Sequence, residues 1–398
     1  MQGRPPRKIC YIAPDVPIPY PSGASVHVAE VAASLSKLGH EVHVIARRTR
    51  SEEPKEENVS GFTVHRVYRQ VVRAGRMRNS SGDGKEPGRR LGGAYYLYLH
   101  TLFALYVAVV ASRVISRYHL EAIIERETAF GAGGMASVFS GRPMVLEIIG
   151  PRYSRLSVRR SRRILYYTET MLRSWVDRQK CTMVTAGVNL DLFRDDPPLG
   201  LSRRHALHLG DDMTVVGYVG TFQVWHGVDL LLQAGSALQT RHPRLRFLLV
   251  GPSYGRYETL AADLNLASIC TFTGAVPYSE TPSYMNACEV LVAPYNPSGD
   301  ELRQKYGIGF PLKILEYMAC GKPVVASDVP PIDALVTSKE LGLLVPPGDA
   351  AALSSALEEL IDDSDESSRI GQRGKALVES RYSWSRFAEV VSSCVQSI

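Results

Sequence analysis

The strongest constraint on this sequence is a rhythm of apolar strand, glycine-containing loop and amphipathic helix that runs twice along the chain. Residues 8–13 are a short apolar run, and a loop rich in proline and glycine follows at 14–24. Apolar residues then recur at helical spacing from Ser25 to Lys37, and Gly39 stands where such a helix ends. Because residues 41–46 are apolar again, this order is typical of an α/β domain with a parallel sheet between helices.

The second half restarts this rhythm. Strands are predicted at 62–67, 121–125 and 143–147 in the first half, and at 215–219, 245–250, 269–272, 290–293, 323–326 and 343–345 in the second, where helices are predicted at 227–240, 278–288 and 311–319. We therefore predict two doubly wound α/β domains in tandem, with a hinge near 186–205. Ligands of open α/β sheets bind at the carboxyl ends of the strands, so the cleft between two such sheets is the expected site.

Composition narrows the class of protein. The chain has 398 residues, of which 45% are apolar and 22% charged, which excludes a disordered chain, a collagen and a small disulfide scaffold. Its six cysteines are scattered without a CxxC motif or a metal-ligand spacing, so we expect free thiols in a reducing compartment and no metal site. The basic N-terminal residues lead directly into a predicted strand, so no signal peptide is expected.

The two halves differ in charge. Residues 1–194 hold 30 lysines and arginines against 16 acidic residues, a balance of +14, whereas residues 195–398 hold 16 against 24, a balance of −8. This split indicates two domains, the first of which meets an anionic surface. That surface is nucleic acid, a membrane or a charged substrate.

One stretch is long enough to span a membrane. Leu91–Ser112 carries no formal charge over 22 residues and has basic flanks. A span would separate residues 1–90 from the strands that complete their sheet, so a helix buried on the sheet is the favoured interpretation. A helix lying in a membrane interface, rich in tyrosine at 95, 96, 98 and 106, is the third possibility.

A basic run follows the strand predicted at 143–147. Six arginines occur within twelve residues, and they are Arg152, Arg155, Arg159, Arg160, Arg162 and Arg163. Interleaved with apolar residues, they fit a surface that meets anionic lipid headgroups. Nucleic acid is the competing interpretation, but we find no nucleic-acid-binding motif and expect no such partner. The alternative is a solvated charged helix.

The most informative segment is Gly307–Ser327, GIGFPLKILEYMACGKPVVAS. A helix is predicted from Pro311, because proline suits the first helical turn. Lys313 and Glu316 are three residues apart and share a face of this helix. A helix N-terminus attracts phosphate, Lys313 adds a full charge there, and Glu316 can accept hydrogen bonds from the ribose hydroxyls of the same nucleotide. The alternative is a solvated lysine–glutamate pair.

This segment resembles the donor-site signature of GT-B glycosyltransferases, in particular of the large retaining family 4. Residues 21–27 resemble the N-terminal glycine loop of that family, residues 217–229 its first nucleotide-domain strand and loop, and residues 250–252 and 272–277 its next two strand ends. The resemblance covers nearly the whole chain. It implies the GT-B fold, an α/β architecture of two Rossmann-like doubly wound domains facing across a cleft. The acceptor-side domain would comprise residues 1–187 with a crossover helix at about 384–398, and the nucleotide-sugar domain residues 188–383.

The resemblance also implies site residues. Gly23 should bring its backbone N–H close to the donor diphosphate. An arginine and a lysine usually clamp that diphosphate, but Thr221 and His226 stand at those positions here. We expect Lys313 to supply the fixed charge and His226 a hydrogen bond; the alternative for His226 is a loop histidine stacked on Trp225. The implied catalytic residues are thus Gly23, His226 and Lys313, and the donor-binding ones Gly220, Thr221, Ala275, Val276, Gly309, Phe310, Pro311, Leu312 and Glu316.

Three departures from the family pattern stand out. The first of two glutamates that the family pairs eight positions apart falls on Ile308, so Asp300 or Glu301, or the backbone of Gly307 and Gly309, would hold the donor sugar instead. Where many members place a histidine near the transferred sugar, this chain has the sequence EIIG at 147–150. The interval from Tyr167 to Val184 is short, which predicts that one strand is absent.

The function implied is transfer of a sugar from a nucleotide diphosphate sugar to an acceptor hydroxyl, with retention at the anomeric carbon and without metal or other cofactor. The acceptor is expected to be a glycan that is lipid-linked or lies at a membrane surface. Arg152, Arg155, Arg159 and Arg160 would face it from a peripheral position on the inner, cytoplasmic face of a membrane. A catalytically dead subunit that binds a membrane partner, and a sugar-nucleotide epimerase, are the alternatives.

Overall fold

The computed structural model describes residues 5–20, 22–68, 89–252, 255–296 and 311–398, with the side chains of 89–96 excepted. The chain divides into two compact units. Unit 1 is Met1–Val184 with Phe387–Ile398, and unit 2 is Thr185–Arg386. The sequence-based boundaries at 187/188 and about 383/384 lie three residues from these.

Unit 1 is built on one sheet. Its strands are β1 (Lys8–Pro17), β2 (Glu41–Arg48), β3 (Glu56–Val59), β4 (Phe62–Tyr68), β5 (Ala122–Arg126), β6 (Met144–Ile148), β7 (Ser161–Tyr166) and β8 (Cys181–Met183). They pair in the order β3-β4-β2-β1-β5-β6-β7-β8, and all neighbours are parallel except β3 and β4. All five strands predicted in this half are present. Their central residues are buried, as strands covered on both faces require.

The helices of unit 1 are α1 (Gly23–Lys37), α2 (Arg89–Tyr118), α3 (Ala132–Ser140) and α4 (Arg155–Arg160), with most of α13 (Trp384–Gln396). The sequence sets both ends of α1. Ser22 caps its N-terminus by accepting a hydrogen bond from the Ser25 N–H, and Gly39 follows the helix at φ +90°. Val28, Val31 and Leu35 form its buried face.

The prediction of a missing strand is wrong. Tyr166 ends β7, and β8 follows it after only fourteen residues, so the short interval up to Val184 still extends the sheet. Sequence reasoning missed β7 because Arg162 and Arg163 begin it and continue the basic run. That run therefore does not form a single charged helix: Arg152 precedes α4, Arg155, Arg159 and Arg160 lie on α4, and Arg162 and Arg163 lie in β7.

Helix α2 joins β4 to β5 of the same sheet and packs against β1 and α3. Its segment Leu97–Tyr118 is long and apolar enough to cross a membrane, and 39% of its most apolar part is buried. Because the strands on either side of α2 belong to one sheet, the structure favours a helix packed on that sheet. Its outward face is apolar and exposed at Leu97, Tyr98, Leu102, Leu105, Tyr106 and Val109.

Unit 2 has a six-stranded, all-parallel sheet. Its strands are β9 (Thr214–Val219), β10 (Leu245–Val250), β11 (Cys270–Gly274), β12 (Val290–Ala293), β13 (Val324–Ser327) and β14 (Leu343–Val345). All of them lie within two residues of their predicted bounds. The order β11-β10-β9-β12-β13-β14 is that of a Rossmann fold. Its switch point, where ligands of such sheets bind, lies at the carboxyl ends of β9 and β12.

The helices of unit 2 are α5 (Pro197–Ala206), α6 (Val228–Leu238), α7 (Arg256–Asp263), α8 (Thr281–Asn286), α9 (Leu312–Ala319), α10 (Ile332–Leu335), α11 (Ala350–Asp362) and α12 (Ser364–Arg381). The core includes Leu231 of α6, Phe247 of β10, Tyr257 of α7 and Leu357 of α11, all buried. The helix predicted at 278–288 is a 3-10 turn, Tyr278–Glu280, followed by α8.

Candidate functional site

The switch point of unit 2 is formed by the ends of β9 and β12 and by the start of α9. Tyr317 attaches α9 to β9, because its hydroxyl donates to the Val219 carbonyl at 2.9 Å and accepts from the Val219 N–H at 2.9 Å. The next residue, Gly220, donates its N–H to the Val250 carbonyl of β10 at 2.8 Å. Helix α9 is thereby attached to the carboxyl end of β9, which is itself joined to the carboxyl end of β10.

Lys313, the second residue of α9, reaches back to β9. Its Nζ donates to the Tyr218 hydroxyl at 2.8 Å and lies 4.4 Å from the centroid of the Tyr218 ring and 5.2 Å from that of Tyr295. A Cβ at Gly220 would lie only 2.8 Å from this Nζ, so the glycine leaves room for the ammonium. Burial lowers the pKa of Lys313 to about 7, against the opposing effect of Glu316.

Glu316 lies one turn further along α9 and is buried. Its Oε1 accepts a hydrogen bond from the Tyr278 hydroxyl at 2.8 Å, and the Tyr278 ring packs 5.3 Å from that of Phe193. Tyr278 follows β11, so the loop after that strand orients the carboxylate. A buried carboxylate and a buried ammonium therefore lie on one helix face at the switch point. This contradicts the alternative of a solvated lysine–glutamate pair.

The loop after β9 carries Thr221 and His226. Gly227, at φ +66°, turns the chain so tightly that a Cβ there would lie 1.7 Å from the Pro294 carbonyl oxygen. His226 Nδ1 bonds to the Thr221 carbonyl, which can only accept, so Nδ1 carries the hydrogen. The Trp225 ring meets the buried imidazole edge-on at 3.9 Å and does not stack on it. Because Nδ1 carries the one hydrogen of the neutral ring, Nε2 can donate to a ligand only when the ring is protonated.

In unit 1, a buried network lies behind the N-terminus of α1. Glu147 of β6 accepts hydrogen bonds from the hydroxyls of Tyr11 at 2.7 Å and Tyr167 at 2.8 Å, and pairs with His27 Nε2 at 2.6 Å. Burial alone raises the pKa of Glu147, but His27 and the hydroxyls outweigh it and hold that pKa at about 2. Glu147 is thus an internal anchor for α1, whose first residue is Gly23.

A cavity of about 160 Å³ opens at the carboxyl ends of β1 and β5 in unit 1. Polar side chains contribute to its wall from β1 (Asp15), from α2 (His100) and from the loop after β5 (Thr128), and the His100 ring stacks on Phe130 at 5.2 Å. This is the switch point of the unit 1 sheet. It offers an apolar wall with a few polar groups, which is typical of a site for a small polar ligand.

Comparisons with known proteins identify the family. A profile described as Glycosyltransferase Family 4 matches residues 21–192, and one described as Glycosyl transferases group 1 matches residues 213–363. A D-inositol 3-phosphate glycosyltransferase from Thermobispora bispora is 26% identical over 94% of this chain and 91% of its own length. This chain belongs to the group 1 glycosyltransferases.

A second relative and a solved structure agree with this assignment. A GDP-mannose-dependent alpha-(1-6)-phosphatidylinositol monomannoside mannosyltransferase from Mycolicibacterium smegmatis is 29% identical over 52% of this chain and 54% of its own length. The Anabaena protein HepE, crystallised with UDP and glucose, superposes with a TM-score of 0.72 over 98% of this chain and 100% of its own, at 18% identity. The fold of this group 1 glycosyltransferase is therefore GT-B, as the sequence predicts.

The structure brings part of the implied donor set of this glycosyltransferase together. Lys313, Glu316 and Gly220 meet at the unit 2 switch point, and the Tyr218 hydroxyl donates to the Thr221 carbonyl at 2.7 Å. Of the others, Ala275 (exposed) and Val276 (half-buried) directly follow β11, Pro311 precedes α9, and Leu312 begins it. Gly309 and Phe310, with Asp300, Glu301, Gly307 and Ile308, lie outside the described residues.

Sequence reasoning missed the aromatic residues of this site. Tyr218, Tyr278 and Tyr295 hold Lys313 and Glu316, yet in the sequence the first lies within a buried strand and the other two follow strands. No motif distinguishes them from core residues. Asp15, by contrast, stands just after the first predicted strand, and this position was a usable signal for the unit 1 cavity.

The four arginines that are expected to face the acceptor, Arg152, Arg155, Arg159 and Arg160, are exposed on unit 1. Arg152 and Arg159 lie open, the Arg155 guanidinium stacks 5.3 Å over Trp175, and Arg160 donates to Ser137 Oγ at 3.2 Å. Arg160 therefore also ties α4 to α3.

One group of potential metal ligands occurs among the described residues. One atom each of His242, Glu358 and Asp362 lies within 4.8 Å of the others. Glu358 already pairs with Arg241, and the group lies on α11 and after α6, not at the switch point. An ion pair accounts for this group, and the absence of a catalytic metal stays a prediction.

Proposed function

We propose that this glycosyltransferase moves a sugar from a nucleoside diphosphate sugar to an acceptor hydroxyl, with retention at the anomeric carbon and without a metal ion. The observation that carries the proposal is the pairing of Lys313 and Glu316 at the unit 2 switch point. The ammonium lies over Gly220, where an incoming diphosphate would meet it. The carboxylate can accept from a ribose hydroxyl of the same nucleotide.

The chemical task is to stabilise the departing diphosphate, on which negative charge builds in the transition state. A preorganised cation in a partly dry site does this effectively. Lys313 supplies that charge in this proposal, with the N-terminus of α9 beside it and a protonated His226 as a further donor. The departing phosphate itself would take the proton of the acceptor hydroxyl on the same face. No protein nucleophile is then needed, and retention follows.

The acceptor is proposed to be an inositol-type or lipid-linked glycan hydroxyl at a membrane surface. Relatives of the chain are named for an inositol phosphate and for a phosphatidylinositol mannoside. The polar groups of the unit 1 cavity suit a hydroxylated ring. The exposed apolar face of α2 and the arginines of α4 support peripheral binding to an anionic membrane, which we propose to be the inner, cytoplasmic face.

The test is turnover in the presence of EDTA. The protein is incubated with UDP-, GDP- and ADP-sugars, and with either free inositol phosphate or vesicles containing phosphatidylinositol. We expect acceptor-dependent release of one nucleoside diphosphate despite the chelator, and a product whose anomeric configuration by NMR equals that of the donor. Loss of activity restored by magnesium or manganese would refute metal independence, and an inverted product would refute retention.

Two other outcomes would replace the proposal. Tight nucleotide binding without turnover would make the chain a donor-binding subunit. Conversion of the donor sugar without release of nucleoside diphosphate would make it an epimerase.

A further inference from the structure

We propose that Tyr218 is the positioning residue for Lys313: its phenol oxygen and ring hold the ammonium over Gly220, where the donor diphosphate binds. This inference rests on the proposed function, because it assigns a role within the donor site. Tyr218 lies inside β9 and is fully buried, so its position is set by the sheet and not by the ligand.

The hydrogen-bond directions support this role. The Tyr218 hydroxyl donates its only proton to the Thr221 carbonyl at 2.7 Å. Its oxygen is then left as an acceptor toward Lys313, whose Nζ lies 2.8 Å away. The backbone of the β9 loop thus orients the phenol, and the phenol in turn orients the ammonium.

Two aromatic rings also help to position the Lys313 ammonium. Lys313 Nζ lies 4.4 Å from the Tyr218 ring centroid and 5.2 Å from that of Tyr295, within the range in which a cation is attracted to a ring. On the side of Gly220 no side chain intervenes, since a Cβ there would come within 2.8 Å of Nζ. The ammonium is therefore held between the two aromatic rings and the backbone of Gly220, at the carboxyl end of β9.

Tyr218 also connects Lys313 to His226. The Thr221 carbonyl accepts from both the Tyr218 hydroxyl and His226 Nδ1. Among the described residues of unit 2, the ionisable groups that face Lys313 are Tyr218, Tyr295 and Glu316, and His226 lies two hydrogen bonds beyond Tyr218, through the Thr221 carbonyl. Burial lowers the pKa of Lys313 to about 7, so an acceptor that favours the charged form matters at neutral pH.

The experiment is Tyr218→Phe, which removes the oxygen and keeps the ring. Calorimetry compares the nucleoside diphosphate that the wild type binds with its nucleoside. We expect about a tenfold loss for the diphosphate, the value of one hydrogen bond to a charged group, and no change for the nucleoside. Equal weakening of both ligands would overturn the positioning role.

A double-mutant cycle and a control variant complete the test. In a Lys313→Ala background, Tyr218→Phe should have no further effect on diphosphate binding, and additive losses would contradict the inference.

Tyr257→Phe is the control variant. It removes the hydroxyl of another buried unit 2 tyrosine, which bonds to the Phe222 carbonyl, and should leave the binding of both ligands unaffected. If Tyr218→Phe melts early, the titrations are made at a temperature below its transition, where the same diphosphate-selective loss is expected. A wild type that binds no nucleoside diphosphate would refute the proposed function itself.

Discussion

Lys313 is a lysine whose charge depends on its surroundings at neutral pH. Its ammonium lies against the rings of Tyr218 and Tyr295, and burial lowers its pKa to about 7. A bound diphosphate favours the charged form, so the pKa of Lys313 is higher in the complex than in the free protein. Binding above neutral pH must therefore take up a proton.

The affinity for a nucleoside diphosphate should follow this linkage. The affinity is highest below pH 7 and falls as the pH rises through about 7, by up to about tenfold per pH unit. The fall ends where the pH reaches the pKa of Lys313 in the complex. Calorimetry in two buffers of different ionisation enthalpy should show proton uptake at high pH and none at low pH. Lys313→Ala is the control, because it removes the titrating ammonium and should lose the part of the pH dependence that Lys313 causes. A wild-type affinity equally independent of pH would contradict this account.

Among the individual residues of the donor site, the sequence predicts the two charged side chains but not the tyrosines that bond to them. Lys313 and Glu316 were found because a spacing of three places them on one helix face. Tyr218 and Tyr278 act through contacts between elements that lie far apart in sequence. Such contacts depend on strand order, which hydrophobic periodicity does not encode.

Glu147 of β6 connects its strand to three other parts of unit 1. It accepts from Tyr11 of β1 and Tyr167 after β7, and it pairs with His27 of α1. This network holds the helix that begins at Gly23. The sequence showed only that Glu147 stands near a position where many relatives carry a histidine; its inward direction follows from the pleat of β6.

Glu147→Gln should loosen α1 selectively. Removing the charge weakens the hydrogen bonds that the carboxylate makes with the Tyr11 and Tyr167 hydroxyls and with His27 Nε2, at a cost of about 1.5–3 kcal/mol, the value of a hydrogen bond to a charged group. Hydrogen–deuterium exchange should therefore speed up by up to roughly 100-fold in peptides from α1 and β6, and less elsewhere. Glu389→Gln, an exposed substitution in the same unit, is the matched control. Unchanged protection of α1 would show that the network does not anchor it.

The elements themselves were largely predictable. Every strand predicted in unit 2 is present, because buried parallel strands are short continuous apolar runs between glycine and proline. Strand β7 was missed because its first residues are polar or charged, and tertiary pairing with β6 overrides that local pattern.

At the scale of the whole molecule, the proposal of membrane binding rests on the uneven distribution of charge between the two halves of the chain. The first 194 residues carry +14 and the remainder −8. Unit 1 also exposes the apolar face of α2, which includes Leu97, Tyr98 and Tyr106. Basic and apolar groups exposed on one unit favour an anionic lipid surface over nucleic acid.

Vesicle binding tests this. The protein should sediment with anionic vesicles at low salt, dissociate as salt screens the charges over roughly 8–10 Å, and bind neutral vesicles weakly. Serine at Arg152, Arg159 and Arg162, which are exposed, should weaken binding by about tenfold or more. The same change at the exposed unit 2 residues Arg194, Arg244 and Arg381 should not. A wild type that ignores anionic vesicles would indicate a soluble acceptor.

The central claim is that Lys313 and Glu316 form the donor site, and calorimetric titration with nucleoside diphosphates tests it most directly. Lys313→Ala and Glu316→Ala should each weaken binding by about 1.5–3 kcal/mol, the cost of a hydrogen bond to a charged group. The Lys313 variant should lose more affinity for the diphosphate than for the nucleoside. Lys339→Ala and Glu359→Ala, which break an exposed pair of the same residue types in unit 2, should bind like the wild type. Unchanged affinity in both site variants would contradict the assignment.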